Sequence, residues 1–316
     1  MRSVLLYSNM QQAIFLMGPT AVGKTAVAMQ LAELLPVDLI SVDSAMVYRG
    51  MDIGTNKPTK QELTRYPHKL IDICDPRQPY SAAQFCTDAT LAMQESWAQQ
   101  RIPLLVGGTM LYFKALQFGL SALPSADAVL RAQLSLEAQN CGWLAMHAKL
   151  AQLDPHAAQR LNVNDTQRVQ RALEINILTK KTLQENYQQQ SHHQLSCKLH
   201  AFAIMPSARD ELNKIIAARF EQMLAAGLIA EVAALYARGD LSIDLPTIRS
   251  VGYRQVWYYL EQQLDYVTMC EQAITATRQL AKRQCTWLRN WPVEIKFAAT
   301  APEALDRIIN TMLHSE

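Results

Sequence analysis

Residues 18–25 read Gly-Pro-Thr-Ala-Val-Gly-Lys-Thr, and no other stretch limits the fold as tightly. The octapeptide satisfies the G-x-x-x-x-G-K-[ST] phosphate loop, and its flanks supply the context that loop requires. Ala13 to Met17 is a short apolar run that predicts a buried strand. From Lys24 to Leu35 the residues Val27, Ala28, Leu31, Leu34 and Leu35 recur at helical spacing. In a strand, glycine loop and helix of this kind, backbone N–H groups and a helix N-terminus face an anion. Gly18, Pro19, Thr20, Ala21, Val22 and Gly23 would cradle a di- or triphosphate, Lys24 would neutralise its terminal oxygens, and the Thr25 hydroxyl would hold Mg²⁺.

The remainder of the chain extends this unit. Apolar runs at Val37 to Val42 and Ile102 to Val106 end at Asp43 and at Gly107-Gly108-Thr109, and a fourth spans Leu199 to Met205. Helices are predicted from the Ser81/Gln84 capping box onward and over Met110 to Phe118. Strands alternating with helices define an α/β fold with a P-loop parallel-sheet core. The alternation stops between Leu123 and Gln190, where the pattern reads as helices over Asp127 to Asn140, Trp143 to Leu153 and Asn164 to Leu178, the last burying Val169, Ala172, Leu173 and Ile177. A polar, mobile exit over Gln184 to Gln194 follows. The expected organisation is a discontinuous core, 1–122 and 195–316, with an inserted all-helical domain, 123–194. Further C-terminal helices follow, the first opening at Ser207 and closing at Gly227, the others near 228–238, 251–262 and 265–290.

A phosphate loop says what binds, and neighbouring strand ends decide what reacts. Asp43 ends a strand, where it reads as a metal-binding carboxylate, a general base or a helix cap. The third strand ends in Thr109 after two glycines, which suits close approach to a substrate group or a tight turn. Net charge is only +2, so a polyanionic partner must be met by local patches. Two basic stripes qualify: Gln167, Arg168 and Arg171, and Arg278, Lys282, Arg283 and Arg289 beside Trp287. With Arg249, Tyr253 and Arg254 they suggest an RNA phosphate track. The six cysteines show no CxxC pairing and read as reduced thiols, and no apolar run reaches the roughly 18 residues of a membrane span, so a cytoplasmic protein is expected. A small-molecule kinase and a nucleotide-switched RNA-binding protein remain compatible with the loop alone.

The segments GPTAVGKT (18–25), SVDSAMVYRGMDIGTNKP (41–58), YSAAQF (80–85), GGTMLYFKAL (107–116), LPSAD (123–127), NDTQRVQRALE (164–174), IRSVGYRQ (248–255) and ATRQLAKRQCTWLR (276–289) resemble the bacterial tRNA dimethylallyltransferase, or tRNA isopentenyltransferase, family. The resemblance spans most of the chain. It implies transfer of a dimethylallyl group from dimethylallyl diphosphate to N6 of the adenosine 3′ of a tRNA anticodon, releasing pyrophosphate, with Mg²⁺ as cofactor. It further implies Asp43 as general base, Thr109 orienting a substrate, Lys24 stabilising the leaving group, and Arg131 and Arg254 steadying substrates. By the same resemblance the anticodon stem-loop would be contacted by Asp43, Ser44, Ala45 and Met46, by Thr109 and Arg131, and by Gln167, Arg168, Val169, Gln170 and Arg171. Arg249, Ser250, Val251, Gly252, Tyr253 and Arg254, with Lys282, Arg283, Gln284, Cys285, Thr286, Trp287, Leu288 and Arg289, would complete that surface. No membrane and no obligate protein partner are expected.

Overall fold

The apolar runs lie side by side as strands of one sheet. The computed structural model describes residues 11–120, 123–124, 127–188 and 195–314. In chain order the elements are β1 (Gln12–Met17), α1 (Lys24–Leu34), β2 (Val37–Val42), α2 (Lys60–Arg65), β3 (His68–Lys69), α3 (Ala82–Ala98), β4 (Ile102–Gly107) and α4 (Met110–Phe118). Four helices follow: α5 (Ala128–Leu153), α6 (Pro155–Arg160), α7 (Thr166–Thr179) and α8 (Leu183–Gln188). The chain ends with β5 (Lys198–Ile204), α9 (Arg209–Ala225), α10 (Leu228–Tyr236), α11 (Tyr253–Leu260), α12 (Tyr266–Arg289), β6 (Lys296–Ala298) and α13 (Ala301–Leu313).

The strand order is β3-β2-β4-β1-β5-β6, and every pairing is parallel. All residues of β1 and β4 are buried, so both faces of these strands must be covered by apolar side chains, as parallel sheets require. Ile14 and Leu16 point to one face, against Val27, Ala28 and Leu31 of α1 and Ala304 and Ile308 of α13. Phe15 points to the other and packs on Phe113 of α4, ring centroids 4.9 Å apart. A second cluster joins Phe220, Val232, Tyr253, Trp257 and Met269 from α9 to α12 with Val47, Tyr48 and Met51, the segment that leaves β2.

The chain divides into two compact units, one up to 117 and from 195 onward, the other 118–194. The described elements of the second are all helices, packed around Leu134, Met146, Leu150, Val169 and Leu173. Asp127 caps α5, accepting from Leu130 N, and Gly142 (φ 78°, ψ 160°) interrupts it between the two predicted helices. Ile177 is exposed rather than buried, because the buried side of α7 turns through Glu174, Ile175 and Asn176 instead.

The Ser81/Gln84 box forms reciprocally, Ser81 N to Gln84 Oε1 at 2.9 Å and Gln84 N to Ser81 Oγ at 3.2 Å. Ser207 does not open α9. The helix begins at Arg209 behind Ala208, with no side-chain cap. Part of the expected polar exit is the short helix α8, and residues 189–194 lie outside the described residues. All six cysteines are free thiols. No described helix is long and apolar enough to cross a membrane.

Candidate active site at the strand ends

Met17, Gly107 and Val42 are in register across β1, β4 and β2. The phosphate loop, Gly108-Thr109 and Asp43 therefore leave the sheet at one level, outside the carboxyl ends of parallel strands where α/β proteins bind ligands. Gly107 is required by this closeness, since a Cβ there would lie 2.0 Å from Val42 O. The loop turns through left-handed Ala21 (φ 70°) and Gly23 (φ 87°). No side chain caps α1 at Gly23, so its first N–H groups are left for a ligand.

Lys24 is folded into the loop, its Nζ donating to Pro19 O at 2.6 Å. Burial lowers its pKa to about 8, the neighbouring Arg219 guanidinium adds to the fall, and Asp43 opposes it. Asp43 uses Oδ1 as a local cap, accepting from Ala45 N at 2.8 Å and Met46 N at 3.2 Å. Oδ2 receives no donor from the described residues, so the cap leaves one carboxylate oxygen outside the turn. Thr109 Oγ1 accepts from Ser44 N at 3.1 Å, tying the end of β4 to the turn that carries Asp43.

Sequence reasoning missed Arg219. It lies beside the Leu212, Ile216 and Phe220 stripe of α9, and Nε donates to Asn56 Oδ1 at 2.9 Å. Burial lowers its pKa while Asp43 raises it, which places a second cation close to Asp43 and Lys24. The segment leading to Asn56 is held in turn by Glu231 of α10, whose carboxylate accepts from the backbone N of Asp52, Ile53 and Gly54 at 2.7–3.1 Å and from Tyr253 Oη at 2.6 Å. The signal for Glu231 was weak, because its backbone partners lie 177–179 residues away in sequence.

The expected RNA-facing residues divide by burial. Lys282, Arg283, Thr286, Trp287 and Arg289 are exposed on α12, with Lys114 Nζ 5.6 Å from the Trp287 ring. Gln284, Cys285 and Leu288 face inward, as helical periodicity dictates for neighbours of Ala281. Val169 and Tyr253 are likewise buried, so their side chains have no surface to offer RNA. Arg168 is exposed and pairs with Asp165 at 3.2 Å. Arg131 and Arg171 both grip buried Glu174, at 3.1 and 2.7 Å, and Arg171 also donates to Pro124 O. Gln170 donates to Arg131 O and Ser135 Oγ. Gln167 is exposed, and Ser250 and Val251 are half-buried beside Gly252. Arg249 pairs with Asp244, while Arg254 has no ion-pair partner among the described residues.

A parallel sheet with a phosphate loop at its central strand and a carboxylate one strand beyond its neighbour defines a P-loop group-transfer protein. Its nearer kinship comes from comparison. Residues 46–291 match the family model described as IPP transferase, and 11–72 that described as isopentenyl transferase. The chain belongs to the IPP transferase family. It is similar over 96% of its length, and of the other's, to a tRNA isopentenylpyrophosphate transferase from Bacillus halodurans, at 35% identity and a TM-score of 0.68. A tRNA delta(2)-isopentenylpyrophosphate transferase from Staphylococcus epidermidis matches at 29% identity and TM-score 0.69, covering 97% of this chain and all of its own. A eukaryotic dimethylallyltransferase acting on tRNA matches at 25% identity and TM-score 0.79, over 97% of this chain and 80% of its own.

Proposed function

We propose that this protein transfers a dimethylallyl group from dimethylallyl diphosphate to the exocyclic N6 of the adenosine 3′ of a tRNA anticodon, releasing pyrophosphate. The observation that carries the reading is the meeting of the phosphate loop and Asp43 at one end of the sheet, with β4 between them ending in no carboxylate of its own. An anion clamp beside a lone carboxylate suits departure of a diphosphate and removal of a proton. An ATP-dependent kinase would want a metal-binding carboxylate where Gly108-Thr109 stands.

In this mechanism Lys24, Arg219 and the loop N–H groups bind the diphosphate and stabilise the charge that grows as the allylic C–O bond breaks. The N6 amine is a weak nucleophile because its lone pair is conjugated with the ring. Oδ2 of Asp43 accepts its proton as the C–N bond forms, and Oδ1 stays in the turn to hold the carboxylate in place. Thr109 keeps that turn fixed through Ser44. The target base leaves the anticodon-loop stack to reach the carbon.

No three His, Cys, Asp or Glu side chains gather as a metal cage among the described residues. Mg²⁺ does not require one, since it keeps several waters and takes few protein oxygens beside phosphate. The Thr25 hydroxyl at the first turn of α1 fits that role, and the ion would supply further neutralisation of the diphosphate.

Recognition of the anticodon stem-loop is assigned to Gln167 and Arg168 of the helical unit, to Arg249 and Arg254, and to the exposed face of α12, with Lys282, Arg283, Trp287 and Arg289 supplying charge and stacking. The place of action is the cytoplasm. Incubation of the protein with unmodified tRNA, dimethylallyl diphosphate and Mg²⁺, followed by mass spectrometry of the nucleosides, tests the reading. N6-dimethylallyladenosine is the expected product, and unchanged adenosine under conditions where the protein binds tRNA contradicts it.

A further inference from the structure

We infer that Gln284 is a positioning residue of the phosphate loop rather than an RNA contact, and that it pins the loop to the end of β4. The buried side of α12 is otherwise apolar at Met269, Ala273, Ala281, Cys285 and Leu288. A buried amide in such a stripe is unfavourable unless both its ends are satisfied. Both are. Oε1 accepts from Thr20 N of the loop at 2.9 Å, and Nε2 donates to Gly108 O at 2.8 Å. Thr20 N can only donate and Gly108 O can only accept, so the amide orientation is fixed and a side chain with one donor and one acceptor at this reach is needed.

Gly108 supplies an independent sign of the same contact. A Cβ at 108 would lie 2.4 Å from Gln284 Nε2 and 3.3 Å from Gly18 O. The glycine therefore makes room for the amide. With Thr109 holding Ser44 N, the pin completes a chain of hydrogen bonds from the loop through β4 to the turn carrying Asp43. Its consequence is preorganisation: the loop dipoles are aimed before the diphosphate arrives and need not reorganise as the leaving group departs.

This inference rests on the reading of the loop as a diphosphate clamp, and the test separates the two. Gln284→Ala removes both bonds. Gln284→Glu keeps the volume and the acceptor for Thr20 N but sets a carboxylate against Gly108 O. Gln284→Ala should raise the KM for dimethylallyl diphosphate about tenfold, the scale of two lost hydrogen bonds, and Gln284→Glu by a similar factor through one lost bond and the carboxylate set against Gly108 O. Both should leave the Kd for tRNA within about twofold, because the side chain is buried. Gly108→Ala should be severe on its own and milder when combined with Gln284→Ala, giving a non-additive double-mutant cycle. Melting temperatures of all variants are measured alongside, since a purely structural role would lower them without the selective change in KM. Lys24→Ala serves as the reference. If Lys24→Ala weakens diphosphate binding while the Gln284 variants leave KM unchanged, or weaken tRNA binding instead, the inference is overturned. If Lys24→Ala itself leaves diphosphate binding intact, the clamp reading fails and takes this inference with it.

Discussion

In the proposed mechanism the Asp43 carboxylate serves two purposes, and its two oxygens divide them. Asn at this position keeps the Oδ1 acceptor for Ala45 and Met46 N–H but cannot take a proton. Asp43→Asn should therefore lower kcat by about 10² to 10⁴ and leave the turn and the tRNA affinity intact. Loss of tRNA affinity in parallel would make Asp43 a docking residue instead. Lys24 carries the pH dependence. Its pKa of about 8 in the free protein lies below that of an ordinary lysine, because burial disfavours the ammonium. A bound diphosphate favours the ammonium and raises that value. Diphosphate affinity should thus be flat between about pH 7, above the terminal phosphate's own ionisation, and about pH 8, and fall about tenfold per pH unit above that, until the bound-state pKa is reached. Calorimetric titration near pH ~8.5 in two buffers of different ionisation enthalpy should register proton uptake; affinity constant from about pH 7 to about 9.5 would mean that Lys24 does not contact the diphosphate.

At the scale of elements, local pattern and long-range contact separate what the sequence reveals. Strand β1, the phosphate loop and α1 are legible because burial on both faces demands an unbroken apolar run and the loop demands its glycines. The interruption of α5 is also legible, since a glycine stands between the two predicted helices. That glycine has φ 78° and ψ 160°, and a Cβ there would meet nothing within 4 Å. Gly142→Ala should hence destabilise the helical unit by about 1–3 kcal/mol through backbone strain alone, read as a lower urea midpoint. By contrast, β6 is a three-residue edge strand too short to show alternation. Helix α13 carries local signals, a Thr300 cap with Pro302 behind it and Ala304, Ile308 and Met312 four apart. Arg219 and Glu231 were illegible as site residues, and Gln284 as a partner of the phosphate loop, for another reason. Their partners are 163–264 residues distant, and a helix periodicity shows that a position is buried or marginal but not what it meets.

For the whole molecule, the two units suggest a division of labour in which the core performs the chemistry and the helices add grip on RNA. Replacing 123–190 by a Gly/Ser linker removes none of the six strands, so diphosphate binding should survive while tRNA binding weakens. Arg168 is the exposed cation of that unit's predicted stripe. Arg168→Ala should make the slope of log Kobs against log salt shallower by about 0.7–0.9, the share of one phosphate contact. Arg171→Ala should act mainly on stability, because Arg171 is engaged with buried Glu174. Unchanged affinity and salt slope after the excision would make the helices a structural lid.

The central claim is that the strand-end site couples departure of a diphosphate to bond formation at adenosine N6. Its most direct test follows pyrophosphate release and N6-dimethylallyladenosine formation in one time course, with ATP replacing dimethylallyl diphosphate in a parallel reaction. The account predicts one pyrophosphate per modified adenosine, strict dependence on tRNA, and no tRNA-stimulated phosphate release from ATP. Steady ATP turnover stimulated by tRNA, or pyrophosphate released without a modified base, would contradict it.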